Sequence, residues 1–318
     1  MLILDRRTWL EQVLFLRASS QSGIWKRVAV SALLATIVTV LQLGWDVFEA
    51  NLTPLPFTLV GLALSIFLGF RNTTGYDRFW EGRKLWGQLV NGSRSFSRQI
   101  FTLIAPPPGA ADMPSWTDDR RSAIRRELVH ALIGYVHAFR LHLRDEDPMP
   151  ELARWLAPEQ VEWLRGQHNR PISLLQHVGA RLRELYDEGL IHAQHLPVLE
   201  ASLIALTDIQ GGCERIKATP IPASYTVLMH RIVLLYCVGL PFGIVSTVGL
   251  FTPIVALIVA YAFYGLDAVG TEIEDPFGRD PNDLPLDALS RMIEVELRQR
   301  LGDTDLPPLL EPIDGVLA

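Results

Sequence analysis

Cysteine is nearly absent from this chain: Cys213 and Cys237 are the only two in 318 residues. That excludes a disulfide framework and the paired cysteine spacings of a structural zinc site. Both are expected to serve as packing residues. Positive charge is not in excess either, since 29 lysines and arginines against 35 aspartates and glutamates leave a formal charge of −6. Nucleic acid is therefore not expected as a partner, because phosphate binding needs a basic face. No H-E-x-x-H, G-x-S-x-G or P-loop motif occurs, so the usual signatures of metal-dependent hydrolysis, nucleophilic catalysis and nucleotide binding are missing. His130 and His137 lie seven apart on one helical face, placed to share a partner, but no third ligand converges with them. No enzyme activity and no cofactor are expected. Strand-type alternation is weak throughout.

Charge itself is missing from two long stretches. Val28–Trp45 has no charged residue in 18 positions, and Ile232–Leu266 has none in 35. At ~1.5 Å per helical residue the first spans ~27 Å, close to the ~30 Å hydrocarbon core of a bilayer. The chain is 49% hydrophobic with a mean hydropathy of +0.20, so its apolar residues are concentrated rather than spread. The first run follows Arg6, Arg7, Arg17, Lys26 and Arg27 and ends in Trp45-Asp46. It is too long for a signal-peptide core and lacks a small-residue cleavage site, so a retained span is expected. Trp25 and Trp45 bracket it, as an aromatic belt would.

A second uncharged stretch runs from Asn51 to Phe70, with Pro54 and Pro56 at its start. No proline follows between Phe57 and Ile104, so one long helix is expected to leave the bilayer and continue into water. The 35-residue run, at ~52 Å, is too long for one span. Pro241, Gly243, Gly249 and Pro253 break it, which predicts a hairpin turning near 246–251, its first arm starting at Tyr225. Lysine and arginine are absent between Val28 and Phe70 but frequent before it, after it and over Arg215–Arg231. By the positive-inside rule, both termini and the large middle region face the cytoplasm.

The expected organisation is an all-α membrane protein. It comprises an N-terminal cytosolic segment (1–27), spans 1 and 2 (28–84), a cytosolic helical domain (85–224), spans 3 and 4 (225–268) and a C-terminal cytosolic segment and tail (269–318). Leu128, Leu132, Tyr135, Val136, Phe139 and Leu143 recur at helical spacing in the middle region, as do Leu174, Leu175, Val178, Leu182 and Leu185. Asp283 and Pro285 read as the cap and first turn of a last helix that ends at Gly302.

On the second span, Thr58, Leu62, Ile66, Phe70 and Thr74 recur every four residues and form one slowly rotating stripe. Helix–helix packing accounts for such a stripe, and so does an apolar pore constriction that gates ions by dewetting. Beyond it, Arg71, Asp77, Arg78, Glu81 and Arg83 are spaced for a charge network, with 77/81 and 78/81 as within-helix pairs.

The segment Arg71-Asn-Thr-Thr-Gly-Tyr-Asp-Arg-Phe-Trp80 resembles the bestrophin family, in its bacterial branch, as do Ile273-Glu-Asp-Pro-Phe-Gly-Arg-Asp-Pro-Asn-Asp-Leu-Pro-Leu286 and Cys213-Glu-Arg-Ile-Lys-Ala-Thr-Pro-Ile-Pro222. The resemblance covers nearly the whole chain. It implies a homopentameric channel for monovalent ions in a bacterial inner (plasma) membrane, with the lipid bilayer and other copies of the chain as partners. It also implies four spans around a central pore. By match to Gly69-Phe70 ahead of Arg71-Asn72, the family's pore neck falls on Leu62, Ile66 and Phe70. Its second, cytosolic aperture falls near Leu196 and Leu199. Animal members bind calcium after Pro-Phe-Gly. Here Arg279 stands where they carry an acid, leaving Asp280 and Asp283 as a remnant, so neither metal nor calcium activation is expected. Arg279 is expected to pair with a carboxylate. The resemblance leaves cation and anion conduction both open. A formal charge of −6 per subunit, about −30 over five, favours cations, sodium first; chloride is the alternative. Asp46 and Glu49 are candidates for an outer ring. A membrane-anchored adaptor or enzyme without a pore is the rival from another class.

Overall fold

The computed structural model describes residues 1–2, 21–45, 53–106 and 116–317. The basic residues Arg6, Arg7 and Arg17 and the acidic pair Asp46 and Glu49 lie outside them. Ten α-helices and no strand occur among the described residues. They are α1 (Gln21–Trp45), α2 (Leu55–Leu103), α3 (Asp118–Leu143), α4 (Met149–Leu152), α5 (Pro158–Arg165), α6 (Arg170–Asp187), α7 (Leu196–Ala218), α8 (Ala223–Val248), α9 (Thr252–Ile273) and α10 (Leu286–Leu301).

Three stretches are long and apolar enough to cross a membrane: Gly23–Trp45, the first part of Leu55–Leu103, and Ala223–Ile273. The last is folded in two. A 3-10 turn at Gly249–Phe251 separates α8 from α9, and Gly249 adopts φ 60°, which a side chain would resist. His230 beside Asp267 near one end, and Tyr236 against Phe263 farther along, show that the arms run antiparallel. Four helices thus form the spanning bundle, α9 packing against α1, α2 and α8.

The 49 residues of α2 make a rod of ~73 Å, uninterrupted because its proline, Pro56, sits in the first turn, where no helical hydrogen bond is lost. Its first part belongs to the bundle. Its second part is one wall of a helical domain built with α3, α6, α7 and α10. Every residue of the two expected amphipathic stripes, Leu128 to Leu143 and Leu174 to Leu185, is buried in that domain's core. Trp86 stacks on Phe139 at 5.7 Å, and Phe139 on Tyr135 at 6.0 Å. Both cysteines are buried and unbridged, and burial pushes the Cys213 thiol far up, so it stays protonated.

Pro276-Phe277-Gly278 joins the two halves. Phe277 is fully buried against α2 at Gly82, where an added Cβ would come within 3.1 Å of the ring. The last helix differs from expectation at its start. The Asp283 carboxylate does not cap it; its Oδ2 accepts the Asp280 N–H at 2.7 Å and closes the preceding turn, and α10 begins after Pro285.

Candidate functional site

The rotation of α2 about its own axis decides what the Leu62/Ile66/Phe70 stripe can do. Gly61, Leu64, Leu68, Arg71 and Gly75 form its buried seam. Gly61 faces Tyr236, and Gly75 faces Ile273. Tyr225 Oη donates to the Phe67 carbonyl at 3.2 Å. Arg71 is the strongest anchor. Its guanidinium lies 2.5 Å from Asp267 Oδ1 and donates to Thr271 Oγ1 at 2.8 Å, with both charged side chains almost wholly enclosed. His230 Nε2 meets the other oxygen, Asp267 Oδ2, at 3.2 Å. A lone charge at this depth would cost several kcal/mol, so it survives only as part of such a set.

With Arg71 turned inward, the opposite face points away from the subunit. Leu62, Ile66 and Phe70 are 62%, 51% and 65% exposed. The three sit on successive turns over ~12 Å. Polar groups flank them. Thr58 Oγ1 donates to the Pro54 carbonyl, Thr73 Oγ1 to the Gly69 carbonyl and Thr74 Oγ1 to the Phe70 carbonyl, at 3.1, 3.0 and 3.0 Å. With their protons spent on their own helix, these hydroxyls present lone pairs outward. Asp77, seven residues past Phe70 on the same face, is exposed.

The charged segment below is held by long-range bonds rather than the expected pairs within the helix. Arg78 donates to three carbonyls, Glu274, Thr219 and Ile216, at 3.0, 2.6 and 2.6 Å. It thereby satisfies the orphan C-terminal carbonyls of α7 and α9 with a cation, the sign the helix dipole favours there. Glu81 pairs with Arg215 of α7 at 2.5 Å. Sequence spacing could not reveal these partners, because α7 and α9 lie over 130 residues away in the chain.

The two aperture candidates lie in the first turn of α7. Leu199 is completely enclosed in its own subunit's core, and Leu196 packs half-buried against it. Pro197 sits in the first turn of α7 without disturbing it, so the helix phase turns Leu199, Leu203 and Leu206 inward. The large apolar residues that α7 leaves outside are Val198 and Ile204.

Arg279 pairs with a carboxylate as expected. It grips Glu146 with two bonds of 2.7 and 2.8 Å and reaches Asp287 at 3.3 Å. The hydrogen bond from Arg279 holds the Glu146 carboxyl below its usual range. Burial would raise Asp287, but the bond from Arg144 and the charges of Arg140, Arg144 and Arg279 outweigh it and hold it low. Asp283 goes the other way: burial pushes its carboxyl up to about 6. Asp280 and Asp283 bind each other through the turn, and no group of three His, Cys, Asp or Glu side chains among the described residues is placed to hold a metal ion. His130 and His137 do share a partner, both lying against the ring of Trp155.

Comparison with known proteins agrees with this architecture. The family model for the bacterial/fungal bestrophin protein matches residues 1–299. A voltage-dependent anion channel-forming protein of Ralstonia nicotianae is 38% identical over 298 residues, 94% of each chain. A protein of the same description from Escherichia coli K12 is 33% identical over 313 residues, 98% of each chain. The crystal structure of a point mutant of a bacterial bestrophin homolog from Klebsiella pneumoniae superposes with a TM-score of 0.81 at 31% identity, covering 88% of this chain and 99% of that one. An all-helical chain with a membrane-spanning bundle, an outward apolar stripe on its longest helix and these relatives belongs to the bestrophin family, in its bacterial/fungal branch, a family of ion channels and not of enzymes.

Proposed function

We propose that five copies of this chain surround one axis in a bacterial inner membrane, with α2 turned toward it and Leu62, Ile66 and Phe70 forming the neck of an ion pore. One observation carries this reading: the strap from Arg71 to Asp267 turns an apolar stripe, flanked by threonines, away from the subunit's own core. A single subunit has too few spans to enclose a pore, so other copies must complete it. Exposed Tyr76 and Trp80, stacked at 6.4 Å below the bundle, supply aromatic surface of the kind enriched at subunit contacts. Leu2 pairs with Val316 across an isolated bridge, which suits both termini lying on one face. The charge distribution makes that face the cytoplasmic one. We place the cytosolic aperture at Ile204, the exposed apolar residue of mid-α7, in place of Leu199.

An apolar neck does not choose charge sign. The threonine lone pairs on both sides of it and Asp77 beneath it favour monovalent cations, sodium first. The anion-channel names of the relatives favour chloride, and that is the second reading. Purified protein in planar bilayers with asymmetric sodium chloride separates them by the sign of the reversal potential. Leu62→Ala, Ile66→Ala and Phe70→Ala together should raise conductance or open fraction. Unchanged currents would remove the neck assignment. A detergent-corrected mass of a single subunit would remove the pore altogether.

A further inference from the structure

We propose that the helical domain carries a binding site for a small soluble anion bearing phosphate groups, in the cleft between α3, α10 and the turn after α4. The cleft has a volume of about 440 Å³ and is lined by Arg126, Arg154, Arg291 and Arg298, with His130 and Trp155. Four guanidiniums face two carboxylates there, and Glu151, which pairs with Arg154, brings the acids to three, leaving one positive charge in excess. Burial, with Arg126 beside it, holds the His130 pKa below its ordinary value, so His130 enters as a neutral donor.

The two carboxylates are already committed. Glu294, almost fully buried, lies 3.1 Å from His137 Nε2, 3.3 Å from Arg291 Nε and 3.7 Å from Arg298 Nη1. Asp303 takes Arg126 at 3.1 Å and Arg298 at 3.2 Å. They orient the arginines without neutralising all of them. Arg154 reaches Glu151 at 3.6 Å and is 67% exposed. The indole of Trp155 forms the base, braced by His130, His137 and the Arg298 guanidinium at 5.5, 6.2 and 6.0 Å. Its Nε1 and the Arg291 Nε are buried without an aligned hydrogen-bond acceptor. Both atoms are closed to solvent, so the ligand's contacts fall to the Arg126 and Arg154 guanidiniums, whose side chains are 50% and 67% exposed. Planar guanidinium forks match phosphate oxygens two at a time.

Lipid headgroups are out of reach. Arg94 of α2 binds Glu296 of α10 at 2.6 and 2.5 Å, which sets the middle of α10 level with residue 94, ~36 Å along the helix from Phe70. The ligand is therefore a soluble one. The cleft is also distinct from that contact, since Arg291, Glu294 and Arg298 occupy the opposite flank of α10 from Glu296 and Arg300.

The test is titration calorimetry of the full-length, assembled protein in detergent with inorganic pyrophosphate in chloride buffer. One site per subunit is expected. Arg126→Ala with Arg154→Ala, both at exposed positions, should weaken binding about tenfold or more by removing two charge-assisted contacts. Assembly mass and the ligand-free melting temperature should stay unchanged. Arg94→Ala on the other flank should bind as the parent does. Absence of binding at millimolar pyrophosphate overturns the proposal. So does equal weakening by Arg94→Ala, which would mean diffuse surface attraction. Loss of assembled mass in the double variant with no pyrophosphate binding by the parent overturns it in favour of a subunit contact.

Discussion

The spanning bundle and the helical domain are folded from the same kind of helix but differ in what they leave outside and in the polar groups they enclose. In the domain, large apolar side chains such as Trp86, Phe96, Phe139 and Leu182 are enclosed, and ion pairs lie around them. In the bundle, Val30, Leu33, Ile37, Val40, Leu235 and Ile258 point outward. The positions enclosed there mix Leu64, Leu68, Met229 and Val233 with Ser31, Thr39, Gly61, Arg71, Gly75 and Asp267. Lipid is as apolar as leucine, so burial of apolar area brings spanning helices no closer together; small residues and polar bonds must do it. In water, burial drives the domain together and surface pairs add little. One long helix crosses both regimes. α2 is seamed by Gly61, Leu64, Leu68, Arg71 and Gly75 in its first half and by Trp86, Leu89, Phe96 and Ile100 in its second.

The comparison is most easily broken at its polar joint. Asp267→Ala strands Arg71 inside the bundle and should cost about 3–5 kcal/mol, read as a fall in the melting temperature of the detergent-solubilised protein. Replacing both partners, Arg71→Met with Asp267→Leu, should restore most of it. If Asp267→Ala were neutral, the bundle would not depend on that pair. On the domain side, Leu132→Ala opens a cavity in a fully enclosed site and should cost about 2–5 kcal/mol, seen in the same melting assay. Between the two lies Asp283. Its folded pKa of about 6 exceeds the ordinary 3.8 because burial disfavours the carboxylate, and Asp280, Asp275 and Glu272 add to the effect. The folded state therefore binds the proton more tightly than the unfolded state. That stabilisation is complete below about pH 4 and is lost as pH rises through about 6, at most ~3 kcal/mol. Asp283→Asn should flatten the melting temperature over that window; an unchanged pH profile would assign the slope elsewhere. Arg279→Ala removes a half-exposed pair and should cost no more than about 1 kcal/mol, less at high salt. Smallest of all, Leu33→Ala on the outward side of the bundle should stay within about 0.5 kcal/mol, whereas the same change at Leu132 should not. Equal losses at the two sites would erase the distinction between the two solvents.

Spans, hairpin and the long rod were readable from uncharged runs and from where prolines and glycines interrupt them. The proline-free stretch from Phe57 to Ile104 is nearly coextensive with the observed rod, Leu55–Leu103. Amphipathic stripes in the middle region named the domain core, because a 3.6-residue period records which face meets its neighbours. The Leu62/Ile66/Phe70 stripe was visible for the same reason. Its meaning was not, since periodicity marks a face without saying what lies opposite.

Sequence by itself determined which segments are helical, which suit lipid and which suit water, because those properties follow from local spacing and composition. Tertiary structure alone decided that Arg71 reaches Asp267, that Arg78 closes the ends of α7 and α9, that Leu199 turns inward and that four arginines gather beside Trp155. Each depends on which helices become neighbours across more than a hundred residues of chain. No local period carries that information; it is set by how the helices share buried surface once they pack.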